Sequence, residues 1–134
     1  MTNDPSTAAL LVVAGAIPGA WLRYHLVERL APHLPRRHWA TLVVNLTASL
    51  FLGLLVALLG SGSDPARRGW MLLLATGFCG SFSTFSSWMG ELWQQIQAGD
   101  GREALRLTLA PIGLGLAALS VGLLLGRLWR GMPA

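Results

Sequence analysis

The residues best suited to chemistry gather in one stretch: Gly77, Phe78, Cys79, Gly80, Ser81, Phe82, Ser83, Thr84, Phe85, Ser86, Ser87 and Trp88. Two glycines and five hydroxyl side chains are poor choices for a helix facing lipid. Glycine lowers helix propensity, and hydroxyls compete for backbone groups. A helix broken inside a bilayer survives only where protein buries it or where it lines a cavity. Freed carbonyls there can coordinate a cation, and helix ends can face ions. A small-residue packing seam is the competing reading; the density of polar and aromatic groups together favours a site. Phe85 and Trp88 are three apart and share one helix face. Aromatic rings carry a positive edge. A small anion can travel along such edges without meeting a full charge that would trap it, and conduction needs binding weak enough to release the ion. Plain core packing is the commoner use of such a pair.

A second polar feature lies upstream. Thr41, Asn45 and Ser49 are four apart and share one helix face. Asn45 is the most polar residue well inside any apolar run. Its amide can donate to an anion, or it can form a helix–helix hydrogen bond of about 1 kcal/mol. Taken alone, the second use is the commoner. Gly15 and Gly19 have the G-x-x-x-G spacing that allows close backbone approach. Arg23 and Glu91 lie near the ends of apolar runs, where they can pair, cap or reach headgroups. His25, His33 and His38 show no ligand spacing and read as interfacial. The single cysteine, Cys79, excludes an internal disulfide framework and a multi-cysteine metal site. No nucleophile–base pair and no phosphate loop can be found in the sequence, so an enzyme is a poor reading.

These groups must be positioned by membrane helices. Of the 134 residues, 53% are hydrophobic and 12% charged, against about 25% charged in an average soluble domain. Mean hydropathy is +0.54. A small soluble fold cannot hide that much apolar surface; a bilayer removes the need. A bilayer crossing takes about 20 apolar residues. Four runs meet this, at about 8–27, 39–59, 70–93 and 105–128, and they predict one all-α, four-helix membrane domain over residues 1–134. The connectors 28–38, 60–69 and 94–104 carry charge or Pro/Gly turn chemistry. The first run lacks a basic leading region and follows Asp4, which predicts a retained helix rather than a cleaved signal. Trp39, Trp70, Trp93 and Trp129 fall at run ends, where indoles favour the headgroup level.

All ten basic residues are arginines, scattered between apolar runs and not clustered as in nucleic-acid binders. Arg67, Arg68, Arg127 and Arg130 share one membrane side. Arg29, Arg36, Arg37, Arg102 and Arg106 share the other, with Arg23 nearby. So weak a bias hardly specifies orientation. Either factors outside the chain decide, or both orientations occur and opposed copies pair.

At this point the motifs align with a known family. Gly15, Gly19-Ala20 and Arg23-Tyr24; Thr41-Leu42-Val43-Val44-Asn45 with Gly53; and the 77–88 segment followed by Glu91 together resemble the Fluc (CrcB-type) fluoride channels of bacteria, along nearly the whole chain. The third motif is the most specific. The resemblance implies a multi-pass protein of the bacterial cell membrane, forming a dual-topology antiparallel dimer whose third helix is broken. It implies passive, selective export of fluoride, which reduces cytoplasmic fluoride toxicity. By matched position, Asn45, Ser83, Thr84, Phe85, Ser86, Ser87 and Trp88 would line a pore. Gly15, Gly19, Arg23 and Gly53 would pack helices. A structural Na+, not transported, would sit on the backbone carbonyls of Gly80 and Ser83.

Several positions depart from the family pattern. Ser81 replaces a glycine, Ser83 a threonine and Ala48 a glycine. Trp88 replaces a phenylalanine, keeping a positive edge and adding an N–H donor. The usual fourth-helix tyrosine is absent, since Tyr24 is the only tyrosine, and Pro111 in that helix should kink it. A homodimer is expected, with a heterodimer of two related subunits as the alternative. A four-helix proton-coupled exporter would need a buried mid-helix acid, and the sequence has none there; a non-conducting partner subunit is the third reading.

Overall fold

A computed structural model describes residues 4–60 and 64–131; part of the 60–69 connector and both chain ends lie outside that set. Helix α1 spans Pro5–Leu30. Asp4 caps it, accepting the Thr7 amide at 3.3 Å, and Pro5 fills a first-turn position that needs no donor. A 3₁₀ turn, Ala31–His33, follows. Helix α2 spans Arg37–Leu59. Helix α3 repeats the entry chemistry of α1, with Asp64 accepting the Ala66 amide at 3.0 Å ahead of Pro65. It begins as Pro65–Trp70, continues as a π-helical stretch, Met71–Cys79, and closes with Gly80–Phe82. Ser83 then turns extended, at φ −75° and ψ 157°. Helix α4 spans Ser86–Gln97. Gly99, at φ +72°, takes the left-handed conformation that lets the chain reverse. Helix α5, Gly101–Gly131, runs on through Pro111.

Among the described residues the architecture is all-helical. The α1 segment (Pro5–His33), α2 and α5 are each long and apolar enough to cross a membrane; the 70–93 run is shared between α3 and α4. Large apolar side chains such as Leu10, Ile17, Leu116 and Leu125 point outward. Lipid tails are as apolar as leucine, so a bilayer tolerates this.

Helix α1 packs on α3, and α2 on α5. Both pairs approach backbone to backbone along glycines. A methyl group added at Gly15 would lie 1.9 Å from the Leu73 carbonyl oxygen, and one at Gly77 2.4 Å from that of Val12. In the other pair, Gly53 would meet Leu119 O at 2.2 Å and Gly122 would meet Leu50 O at 2.1 Å. A small buried cluster of Val44, Ala48 and Phe82, with Leu22, Leu26, Val27 and Phe78 around it, ties α1, α2 and α3 together.

One end of the bundle is closed by charge. Arg36 reaches Asp100 at 3.5 Å and Glu103 at 3.8 Å, and Arg106 reaches Glu103 at 3.3 Å. Arg37 pairs with Glu28. His38 is buried, with its Nε2 2.8 Å from Glu103 Oε1, a close contact without hydrogen-bond alignment. At the other end of α2, Arg130 donates to the Ala57 carbonyl at 2.9 Å.

Candidate functional site

The gap between α3 and α4 is built by its own sequence. Ser83 closes the last turn of α3, its amide and its hydroxyl both donating to the Cys79 carbonyl, at 3.0 and 2.9 Å. In a continued helix the Thr84 amide would donate to Gly80. Instead it donates to Asn45 Oδ1 at 2.9 Å, and Asn45 Nδ2 donates back to the Thr84 carbonyl at 3.1 Å. One side-chain amide from α2 therefore replaces two backbone partners. Thr84 is only 9% exposed, and a buried peptide group left unpaired costs free energy comparable to a lost hydrogen bond. The Thr84 hydroxyl then opens α4. It accepts the Ser87 amide at 3.3 Å and donates to the Ser87 hydroxyl at 3.1 Å, in the manner of a helix cap. Ser86 Oγ lies 3.4 Å from it.

Two cavities meet at this gap. An open cleft of about 260 Å³ is lined by Asn45, Ser49, Ser83, Thr84, Phe85, Trp88, Pro111 and Ile112, with no charged side chain. A second cavity, of about 150 Å³, is lined among others by Arg23, Arg37, Thr41, Thr84, Ser87 and Glu91. Thr84 borders both and so forms the wall between them. In the second cavity Thr41 donates to Glu91 Oε1 at 2.8 Å, while Arg23 Nε is buried with no hydrogen-bond partner among the described residues. Phe85 stands out from the chain, 67% exposed. Its ring centre lies 5.2 Å from that of Trp88 at 78°, an edge-on contact. The Trp88 indole N–H donates to the Leu107 carbonyl on α5.

The expected site residues thus divide. Asn45, Ser83, Thr84, Phe85 and Trp88 share the cleft, and Ser87 lies with Thr84 on the second cavity. Ser86 is exposed and borders neither. Gly15, Gly19 and Gly53 lie in the close-packed seams. Arg23, grouped with them by sequence, lines the second cavity. Gly80 and Ser83 border a third cavity of about 120 Å³ with Ser49 and Cys79. A methyl group added at Gly80 would meet nothing within 4 Å. Among the described residues no group of three His, Cys, Asp or Glu could hold a metal, so a cation here would need carbonyl and hydroxyl oxygens.

Sequence reasoning missed three contacts: Thr41 with Glu91, the Ser81 hydroxyl donating to Ala16 O at 2.8 Å, and Trp88 with Leu107. The first two join distant segments and leave no local signal. The third had one, in the position of Pro111.

Comparison with known proteins places the chain. Residues 10–123 match the family model described as CrcB-like protein, Camphor Resistance (CrcB). The fluoride-specific ion channel FluC 1 of Synechococcus sp. (strain CC9902) is 48% identical, over 88% of this chain and 92% of its own. FluC 1 of Parasynechococcus marenigrum (strain WH8102) is 45% identical over the same shares. FluC 2 of that same organism is 41% identical, over 97% of this chain and 89% of its own.

Proposed function

We propose, from the premise that this chain belongs to the CrcB family, that it is a fluoride-selective channel of the bacterial cell membrane. It is a multi-pass protein that lets fluoride leave the cytoplasm passively and so limits fluoride toxicity. Its family transports an ion; the site does not call for bond-making chemistry. The observation that carries this reading is the reciprocal Asn45–Thr84 pair, which holds a helix gap between two cavities. Fluoride is small and strongly hydrated, so a path for it must replace water with donors and positive edges. Asn45 spends one amide N–H on Thr84 and keeps the other. The hydroxyls of Ser83 and Thr84 and the ring edges of Phe85 and Trp88 complete the lining of the cleft, and Ser87 adds a hydroxyl on the second cavity. With no full positive charge on the cleft, binding stays weak enough for release.

The gap is the break of a third crossing that spans the bilayer in two halves, α3 and α4. Two copies in opposite orientation form the working channel. The exposed Phe85 and the open surface at Gly80 support this, being faces that one chain leaves uncovered. The Gly80 carbonyl, having lost the Thr84 amide to Asn45, fits a sodium ion held by oxygens alone. With Ser83, each copy would offer two carbonyls to it. Such an ion would supply a fixed positive charge near the anion path.

A second reading is supported by one finding. FluC 1 and FluC 2 of a single organism both match the chain closely, which suits a heterodimer of related subunits. Fluoride efflux decides between them. Liposomes loaded with potassium fluoride and carrying this chain alone, with valinomycin setting the voltage, should release fluoride quickly. Chloride-loaded vesicles should retain their anion. A well-folded preparation that releases nothing until a paralogue is added overturns the homodimer. Silence with the paralogue present overturns the channel reading itself.

A further inference from the structure

Pro111 lies in the interior of α5. Proline has no backbone N–H, so the carbonyl four residues earlier loses its helical donor. That carbonyl belongs to Leu107, which is 5% exposed, so water has little access to it. In this structure the missing donor comes from another helix: Trp88 Nε1 donates to Leu107 O. Trp88 and Pro111 also border the same cleft, with Asn45, Ser83, Thr84 and Phe85. Trp88 in turn holds Phe85 in an edge-on contact.

We propose that Trp88 and Pro111 act as one interlocked unit, in which the proline strips Leu107 of its donor so that the indole is pinned with its N–H turned away from the ion. Trp88 is then a positioning residue. It presents a ring edge to the anion and fixes Phe85 beside it, while its N–H is spent on the backbone. The arrangement matters for conduction. A free indole N–H in the cleft would bind fluoride more tightly than a ring edge does, and tight binding slows release. A phenylalanine at this position could not serve Leu107. An α5 without Pro111 would not need the indole. The two departures from the family pattern are therefore one feature. The inference rests on the channel reading, and its test is chosen to separate the two.

The test is a double-mutant cycle on the full chain: wild type, Trp88→Phe, Pro111→Ala and the double variant. Each is measured for thermal stability in detergent and for fluoride efflux as a function of fluoride concentration. Trp88→Phe leaves the Leu107 carbonyl unpaired and should lower the melting temperature, as one uncompensated buried hydrogen bond does, and efflux should slow because the ring is no longer pinned. Pro111→Ala returns an N–H to Leu107 and frees the indole, so efflux should saturate at a lower fluoride concentration. The double variant should regain most of the loss seen with Trp88→Phe and lose the shift in saturation. That shift is a signature a merely structural contact would not give. Effects that simply add, in melting and in flux alike, overturn the interlock. Coupling in melting with no change in saturation overturns the positioning role. If Trp88→Phe alone fails to fold, Pro111→Ala and the double variant still carry the comparison, since neither leaves Leu107 unpaired. A wild type that stays silent even with a paralogue present overturns the channel reading, and with it the role toward fluoride, while the melting cycle still decides whether the interlock exists.

Discussion

The glycines of the two helix seams and the glycine at the helix gap are the same residue put to opposite uses. At Gly15, Gly53, Gly77 and Gly122 the missing side chain is filled by a neighbour's backbone, 1.9 to 2.4 Å from where a methyl group would stand. At Gly80 that space is empty to 4 Å. The seams are filled by the chain's own backbone, whereas no described residue fills the space beside Gly80. The backbone shows the same contrast. Within the helices of the seams the peptide groups pair along the helix axis save where a proline removes a donor, while at the gap Thr84 depends on a side chain from α2 for both its groups. Small residues in a membrane protein thus mark two different things, and only the surroundings tell them apart.

The sharpest way to break the comparison is to fill a seam. Gly122→Val pushes side-chain carbons into the Leu50 carbonyl, which is main chain and cannot rotate away. Overpacking costs about 1–3 kcal/mol and more where nothing can yield. The expected outcome is loss of the monodisperse peak on size exclusion in detergent; a folded, conducting Gly122→Val would show the seams to be soft. Asn45→Leu comes next. It strands two buried groups of Thr84, at about 1–3 kcal/mol each. Melting temperature and fluoride efflux should fall together, and normal efflux would mean that the gap needs no clamp.

Gly80→Ala sharpens the contrast. Within one chain the methyl group touches nothing, so subunit stability should change by about 0.5 kcal/mol at most, as for other exposed sites. Cross-linking of copies and any sodium dependence of efflux should weaken nonetheless. Unchanged cross-linking and efflux would show that no second copy or ion uses that space. The smallest effect is expected from Thr41→Val, which removes one hydrogen bond to Glu91, worth about 1 kcal/mol. Melting should fall slightly and efflux should slow less than with Asn45→Leu; a loss as large as that of Asn45→Leu would make the second cavity as critical as the gap.

The sequence made the seam of α1 legible, because the spacing of Gly15 and Gly19 shows on one strip of one helix. It did not show what they rest on, since the fit of Gly15 to Leu73 and of Gly77 to Val12 depends on how two helices are shifted along each other. Apolar runs mark the membrane-length part of each helix, whereas the caps Asp4 and Asp64 lie outside those runs and set where α1 and α3 begin. Asn45 left two readings open, anion donor and helix–helix bond, and the structure uses one N–H for the bond while sparing the other. The sequence showed that Trp88 adds an N–H donor but not where that donor goes, which is the Leu107 carbonyl on another helix. His38 looked interfacial because its partner, Glu103, lies far along the chain.

The charge cluster that joins Arg36, His38, Asp100, Glu103 and Arg106 has a consequence for biogenesis. Arg36 is synthesised well before Asp100 and Glu103, so while the early helices enter the bilayer it has not yet met the two acids it pairs with in the finished fold. Topology is read from arginines and barely from acids. The pairing therefore arrives too late, and is of the wrong kind, to instruct the insertion machinery. Every partner in the cluster is also supplied by the same chain. If copies insert from both faces, as proposed, each would close the same cluster on whichever side it finds itself, and the cluster would carry no record of the direction of insertion.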